Sequence, residues 1–150
     1  ILFAIACAVG AELSECTAET KRNLTKYGFY YGMAFQIRDD LNDFLSDEKT
    51  SGKPVGKDIK EGILTLPVIY AVARNKEVRN IFSEYMSKKD KITLGEISQL
   101  VDLVIENKGV EDTKKFLDKY VDRGLGVLEK LPDITYKNIF RDLILNLRSF

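Results

Sequence analysis

The sequence predicts an all-α protein. Apolar residues recur at three- and four-residue spacing through almost the whole chain, and no run alternates with period two between turn signals. Residues suited to capping helices and to ending them also fall at the breaks in that pattern.

The elements follow in order. A first helix is predicted over Ile1 to Glu15, and a second, long one from Thr17, as N-cap, to Leu45. The stretch from Ser46 to Gly62 holds three glycines, a proline and four lysines, and reads as the long connection of the chain. Thr65 is placed to cap the next helix, with Pro67 in its first turn, where a missing amide hydrogen costs nothing. A break near Asn75 precedes a helix through Ile81 to Met86. Thr93 and Glu96 have capping-box spacing ahead of Ile97, Leu100, Val101 and Val104, and Gly109 reads as the stop of that helix. An element with Phe116, Leu117, Tyr120, Leu125 and Leu128 ends before Pro132, and Tyr136 to Leu147 forms a final amphipathic helix. No internal repeat or composition shift marks a second domain.

With 150 residues, 45% of them hydrophobic and 31% charged, the chain is expected to fold around a core. Its 23 basic and 23 acidic residues cancel, so no global field favours nucleic acid or an anionic membrane. The absence of histidine removes Ser-His-Asp and Cys-His schemes and HExxH zinc sites. Cys7 and Cys16 are too few for a zinc or disulfide framework and read as reduced core residues. The apolar opening, Ile1 to Ala11, is shorter than the ~20 residues a membrane span needs. It also starts a helix without a cap, as the back half of a longer chain would.

The residues that carry chemistry lie on the second helix. At about 100° per residue, Gln36, Asp39, Asp40 and Asp43 fall within an arc of about 100°. Ala34, Ile37, Leu41 and Leu45 occupy the opposite side, and Phe29, Gly32 and Met33 continue the carboxylate face with apolar or small side chains. Neighbouring like charges repel by roughly 0.2–0.5 kcal/mol per pair when exposed and more when desolvated. No lysine or arginine stands three or four residues from any of the three aspartates, so the counter-charge is not on this helix. A bare DDxxD pattern is more often a solvated acidic patch; the apolar surroundings and missing partners favour a hard divalent cation instead. Mg²⁺ commonly uses one or two carboxylates and leaves its other positions to water and phosphate.

Lys49, Lys53, Lys57 and Lys60 follow in a glycine-rich connection able to bend back over such a site. It is not a Walker A loop, because Pro54 follows Gly52 and Lys53. Taken alone it would be a solvated surface segment, and Asp58 reads equally as a helix cap or as a brace for the loop.

The run from Gly32 to Phe44, GMAFQIRDDLNDF, resembles the second aspartate-rich motif of the trans-isoprenyl diphosphate synthases, GxxFQxxDDxxD. The continuation from Gly52 to Ala71, GKPVGKDIKEGILTLPVIYA, is similar to that family's GKxxGxD segment and TLPxxYA helix. Its wording is most similar to the catalytic subunit of medium- and long-chain synthases of the heptaprenyl type. The resemblance implies the C-terminal half of an isoprenoid synthase helical bundle, with residues 1–150 part of a single polyprenyl synthetase domain. It further implies Mg²⁺ on Asp39, Asp40 and Asp43, with Asp39, Asp40 and Lys53 catalytic and Gln36, Phe35 and Lys53 at the substrate. The implied reaction ionises an allylic diphosphate, which isopentenyl diphosphate then attacks with loss of a proton. A cytoplasmic enzyme is implied, as a homodimer or paired with a small regulatory subunit, whose product, but not the chain, seeks membranes.

Two departures bear on this reading. Ile63 stands where many members carry a second lysine, and the first aspartate-rich motif of the family is missing from the chain. The chain would then hold half an active site. A non-catalytic subunit or diphosphate-binding module is the alternative; terpene cyclisation is disfavoured, because the second motif here is DDxxD rather than NSE-type. If the chain is half a bundle, Phe29, Met33, Ile5 and Val9 are expected to present apolar surface.

Overall fold

A computed structural model describes residues 1–45, 55–88, 92–133 and 135–150. Among these residues every regular element is helical. The helices are α1 (Leu2–Leu13), α2 (Ala18–Leu45), α3 (Lys57–Lys60), α4 (Leu66–Arg74), α5 (Lys76–Ser87), α6 (Leu94–Glu106), α7 (Gly109–Leu128) and α8 (Lys137–Leu145), followed by a 3₁₀ turn, Asn146–Arg148. The chain forms two compact units: Ile1–Arg38 with Phe116–Phe150, and Asp39–Lys115.

In the first unit α1 starts at Ile1 with no side-chain cap, as its sequence suggests. Thr17 does cap α2, its Oγ1 accepting from the Thr20 amide at 3.2 Å. The two helices meet at Gly28, where a Cβ would lie 2.4 Å from the Phe3 carbonyl oxygen, so only glycine permits this approach of backbones. The ring of Phe3 packs edge-on against Tyr31, with centroids 4.9 Å apart, and tilted against Phe35 at 5.5 Å. Tyr27, 2% exposed, donates its hydroxyl to the Phe140 carbonyl at 2.7 Å, and burial pushes its phenol pKa upward. The expected apolar surface is present: Ile5 is 53% exposed, Val9 52% and Phe29 45%, while Met33 is half-buried.

In the second unit α4 packs against α5 and α6, and α3 and α5 also pack against α6. Leu41, Val68, Ala71, Leu100 and Val104 are fully buried there. Asn75 caps α5 through a 2.9 Å bond from the Glu77 amide. The capping box forms as its spacing predicts: the Glu96 amide donates to Thr93 Oγ1 at 3.3 Å, and the Thr93 amide to Glu96 Oε2 at 2.8 Å. Lys88 donates to the same Glu96 carboxylate at 2.8 Å. These bonds hold the Glu96 carboxyl down at about 2, the Lys88 bond contributing most. Because the folded-state pKa is depressed, this stabilisation is complete above the ordinary value of 4.5 and is lost as pH falls toward about 2. Melting curves of wild type and Glu96→Gln should therefore differ at pH 6 and converge by about pH 2. A gap that persists at the acid end would show that the box does not depend on the ionised carboxylate.

Two boundaries depart from the sequence expectation. Gly109 does not end α6. The helix closes at Glu106, Lys108 takes the left-handed conformation (φ 60), and Gly109 opens α7. Glycine is needed there for space, since a Cβ would come 2.3 Å from the Pro67 carbonyl oxygen. Thr65 occupies the N-cap position of α4 with extended backbone, but its side chain makes no cap bond. Its Oγ1 is buried with no hydrogen-bond partner among the described residues. A buried, unmatched hydroxyl costs about 1–3 kcal/mol. Thr65→Val should accordingly be neutral or raise the melting temperature, whereas loss of a working cap would cost about 1 kcal/mol. Denaturant titration of the variant separates the two outcomes.

Candidate metal and diphosphate site

The last turns of α2 carry Asp39, Asp40 and Asp43 within the second unit, and the three carboxylates meet different surroundings. Leu41 and Phe44, buried on the same turns, fix how the helix lies in this unit and so leave the aspartates on its accessible side. Asp39 is exposed, and none of the hydrogen bonds or ion pairs among the described residues uses its carboxylate.

Asp40 is half-buried, and its Oδ2 accepts from the Leu66 amide at 3.1 Å. Leu66 is the first residue of α4, so Asp40 supplies, from another helix, the cap that Thr65 does not. Asp43 is also half-buried and does the same for α3. Its Oδ1 accepts from the Lys57 amide at 3.0 Å and its Oδ2 from the Asp58 amide at 3.1 Å. The pattern of three aspartates thus resolves into one solvent-facing carboxylate and two that tie the carboxylate helix to the starts of the following helices. The sequence carries the donors openly, but their pairing depends on a chain reversal that helical spacing does not encode.

Asp58 is the residue that the sequence left between two roles. It is half-buried at the start of α3, and its own amide bonds Asp43, so it belongs to the brace. Its side chain adds a fourth acidic group. Burial raises its carboxyl pKa, and the charges of Asp43, Asp40, Asp39 and Glu61 raise it further. Burial likewise raises that of Asp43, against the lowering effect of the Asp58 and Lys57 amides and of the Lys57 ammonium. Asp58, Asp43, Asp40, Asp39 and Glu61 thus stand close enough for their charges to repel. Lys57 lies at their edge, but its ammonium also faces Glu61 at 3.6 Å.

The donor set suits a hard cation held in an open site. Among the described residues no group of three or more carboxylates converges as a closed metal cage would. Asp39, with whichever lone pairs Asp40 and Asp43 retain beside their amide bonds, could provide one or two carboxylates and leave room for water and phosphate. Gln36 is exposed on α2, and Phe35, 45% exposed, rests its ring on Phe3 and Tyr31. Lys53 and Lys49, with Gly52 and Pro54, lie outside the described residues. Ile63 is 48% exposed and supplies no charge where the resemblance would place a lysine.

Comparison with known proteins shows the family and the fold. A family profile for polyprenyl synthetase matches residues 1–104. Heptaprenyl diphosphate synthase component 2 of Geobacillus stearothermophilus is 31% identical over 145 residues, spanning 97% of this chain and 44% of the relative. Octaprenyl diphosphate synthase of Escherichia coli is 31% identical over 140 residues, spanning 91% and 42%. Among solved structures, heptaprenyl diphosphate synthase of Staphylococcus aureus superposes with a TM-score of 0.91 at 31% identity, covering 99% of this chain and 46% of that one. Geranylgeranyl pyrophosphate synthase of Corynebacterium glutamicum, complexed with calcium and isoprenyl diphosphate, gives 0.84 at 27% identity, with coverage of 97% and 45%. The chain spans less than half the length of these relatives, and its fold is the C-terminal half of the isoprenoid synthase bundle. By profile, sequence and fold together, the chain belongs to the polyprenyl synthetase family.

Proposed function

We propose that the full-length protein is a trans-prenyltransferase that condenses isopentenyl diphosphate with an allylic diphosphate into a linear polyprenyl diphosphate. Residues 1–150 would be the C-terminal part of its single synthase domain and would supply one side of a Mg²⁺ and diphosphate site. The observation that carries this reading is the exposed Asp39 carboxylate, on the same helix face as two aspartates whose oxygens are held by backbone amides. The calcium and isoprenyl diphosphate bound by the C. glutamicum synthase support the ligand class.

In this reading Asp39 is the direct cation ligand, and Asp40 and Asp43 hold its helix in place. When bound, Mg²⁺ would supply positive charge beside the diphosphate and so favour its departure from the allylic carbon. The residues of this chain orient the site and concentrate negative charge where that cation is needed. Gln36 and Lys53 would contact the diphosphate, Phe35 would form part of the wall along the prenyl chain, and Asp39 and Lys53 would be the catalytic pair, with Asp40 and Asp43 positioning Asp39. Metal-assisted departure of pyrophosphate needs no histidine.

Among the described residues no helix is long and apolar enough to cross a membrane. The cytoplasmic placement in this reading rests on the family resemblance alone. Relatives named component 2 belong to synthases with a further component. That observation favours an assembly for this protein too, with a small regulatory subunit or a second copy. It also keeps open a non-catalytic role within such a complex.

Calorimetry of the full-length protein with an allylic diphosphate tests the reading. Binding should require Mg²⁺ and be lost in Asp39→Ala. Binding indifferent to magnesium would exclude a metal-bridged site, and magnesium-dependent binding without prenyl transfer would favour the non-catalytic subunit.

A further inference from the structure

The brace that holds Asp43 has a support of its own. Gly56 precedes α3 with φ 79 and ψ 25, a left-handed conformation that glycine adopts without the penalty of a side chain. Its amide donates to the Asp43 main-chain carbonyl at 3.1 Å. Three consecutive amides, those of Gly56, Lys57 and Asp58, therefore grip one residue, the first on its carbonyl and the other two on its carboxylate. The other side of Gly56 is closed by α6. A Cβ at this position would lie 2.7 Å from Ile97 Cγ2 and 2.9 Å from Val101 Cγ2. Ile97 and Val101 are 4% and 7% exposed, and Ile59 of α3 is 1% exposed where α3 packs on α6. The turn is thus held between the end of α2 and two methyl groups of α6. It has no freedom to retreat from the helix without losing its grip on Asp43.

We propose that Ile97 and Val101 are positioning residues for the carboxylate face. They would act through Gly56 to set where the Asp43 carboxylate stands, and hence how the site takes a divalent cation with its diphosphate. The inference rests on the reading of that face as a metal and diphosphate site. Close packing supports it, because a void left under a tightly held turn lets the backbone shift rather than remain in place. Groups that hydrogen-bond a metal's ligands change its affinity by about 10- to 100-fold when removed; Ile97 and Val101 act one step further out, through Gly56, and should fall at the lower end of that range.

The test is magnesium titration of prenyl transfer by the full-length enzyme. Ile97→Ala removes the Cγ2 methyl against Gly56 and should raise the magnesium concentration for half-maximal rate about ten-fold, with kcat at saturating magnesium little changed. Ile97→Val retains Cγ2, loses only the terminal methyl, and should behave as wild type. Gly56→Ala should raise the same concentration, and combining it with Ile97→Ala should cost less than the sum, because the second change vacates the space the first invades. Leu100→Ala is the control for stability. Leu100 is fully buried on the same helix, yet none of its atoms lies within 4 Å of a methyl at position 56, so its variant should lower the melting temperature and leave magnesium dependence alone. If Ile97→Ala only lowers the melting temperature, or if Ile97→Val is equally impaired, the inference is overturned. A wild-type enzyme indifferent to magnesium would instead overturn the reading of the site itself, so the two failures are distinguishable.

Discussion

Asp39→Asn in the full-length enzyme is expected to reduce kcat/KM by about a hundred- to a thousand-fold, the scale on which a single preorganised charge-stabilising group acts. It should do so without lowering the melting temperature. The carboxylate is exposed and braces nothing among the described residues, so none of their amides loses a partner when it goes. Its charge also burdens Asp58, whose carboxyl is pushed up in part by Asp39. Relief of like-charge repulsion is worth roughly 0.2–0.5 kcal/mol per neighbouring pair, so the melting temperature should hold or rise slightly. Steady-state pyrophosphate release and thermal unfolding measure the two quantities. Activity within a few-fold of wild type would remove Asp39 from the metal site.

Asp43→Ala is expected to fail differently. The change strips acceptors from the Lys57 and Asp58 amides, and loss of a helix N-cap costs about 0.5–2 kcal/mol. Part of that cost is returned, because burial already disfavours the ionised Asp43 carboxylate. A net fall in melting temperature of a few degrees remains. With the turn at Gly56 released, the magnesium requirement should rise as well. Asp43→Asn keeps one acceptor oxygen and no charge, so it should recover part of the stability and little of the metal affinity. An Asp43→Ala enzyme with unaltered stability but no activity would make Asp43 a direct ligand like Asp39, and the difference drawn between them would be wrong.

Much of the fold was legible because it depends on local periodicity. The capping box at Thr93 and Glu96, the cap at Thr17 and the break at Asn75 all lie where short-range chemistry puts them. The errors share one physical cause. Thr65 has the composition and the backbone of an N-cap, yet a carboxylate from another helix takes the bond, and no property of the residues around Thr65 announces that competitor. Gly109 has the composition of a helix stop, yet it is required by the approach of the Pro67 carbonyl, while Lys108 bears the left-handed turn. Among the described residues that follow Pro54, a helical turn forms at Lys57–Lys60 where the sequence suggested connection, because Asp43 supplies its cap and α6 its floor.

By itself the sequence determined that the chain is helical, that three aspartates share a helix face, and that their charge has no answer along that helix. Those properties follow from spacing, which a periodic helix converts directly into direction in space. Only the tertiary structure decided which aspartate is available. Asp40 and Asp43 turn to the amides that begin α4 and α3, and Asp39 turns to solvent. A carboxylate has no preference in sequence between a backbone amide and a cation; what it holds is set by which donors the folded chain brings within about 3 Å.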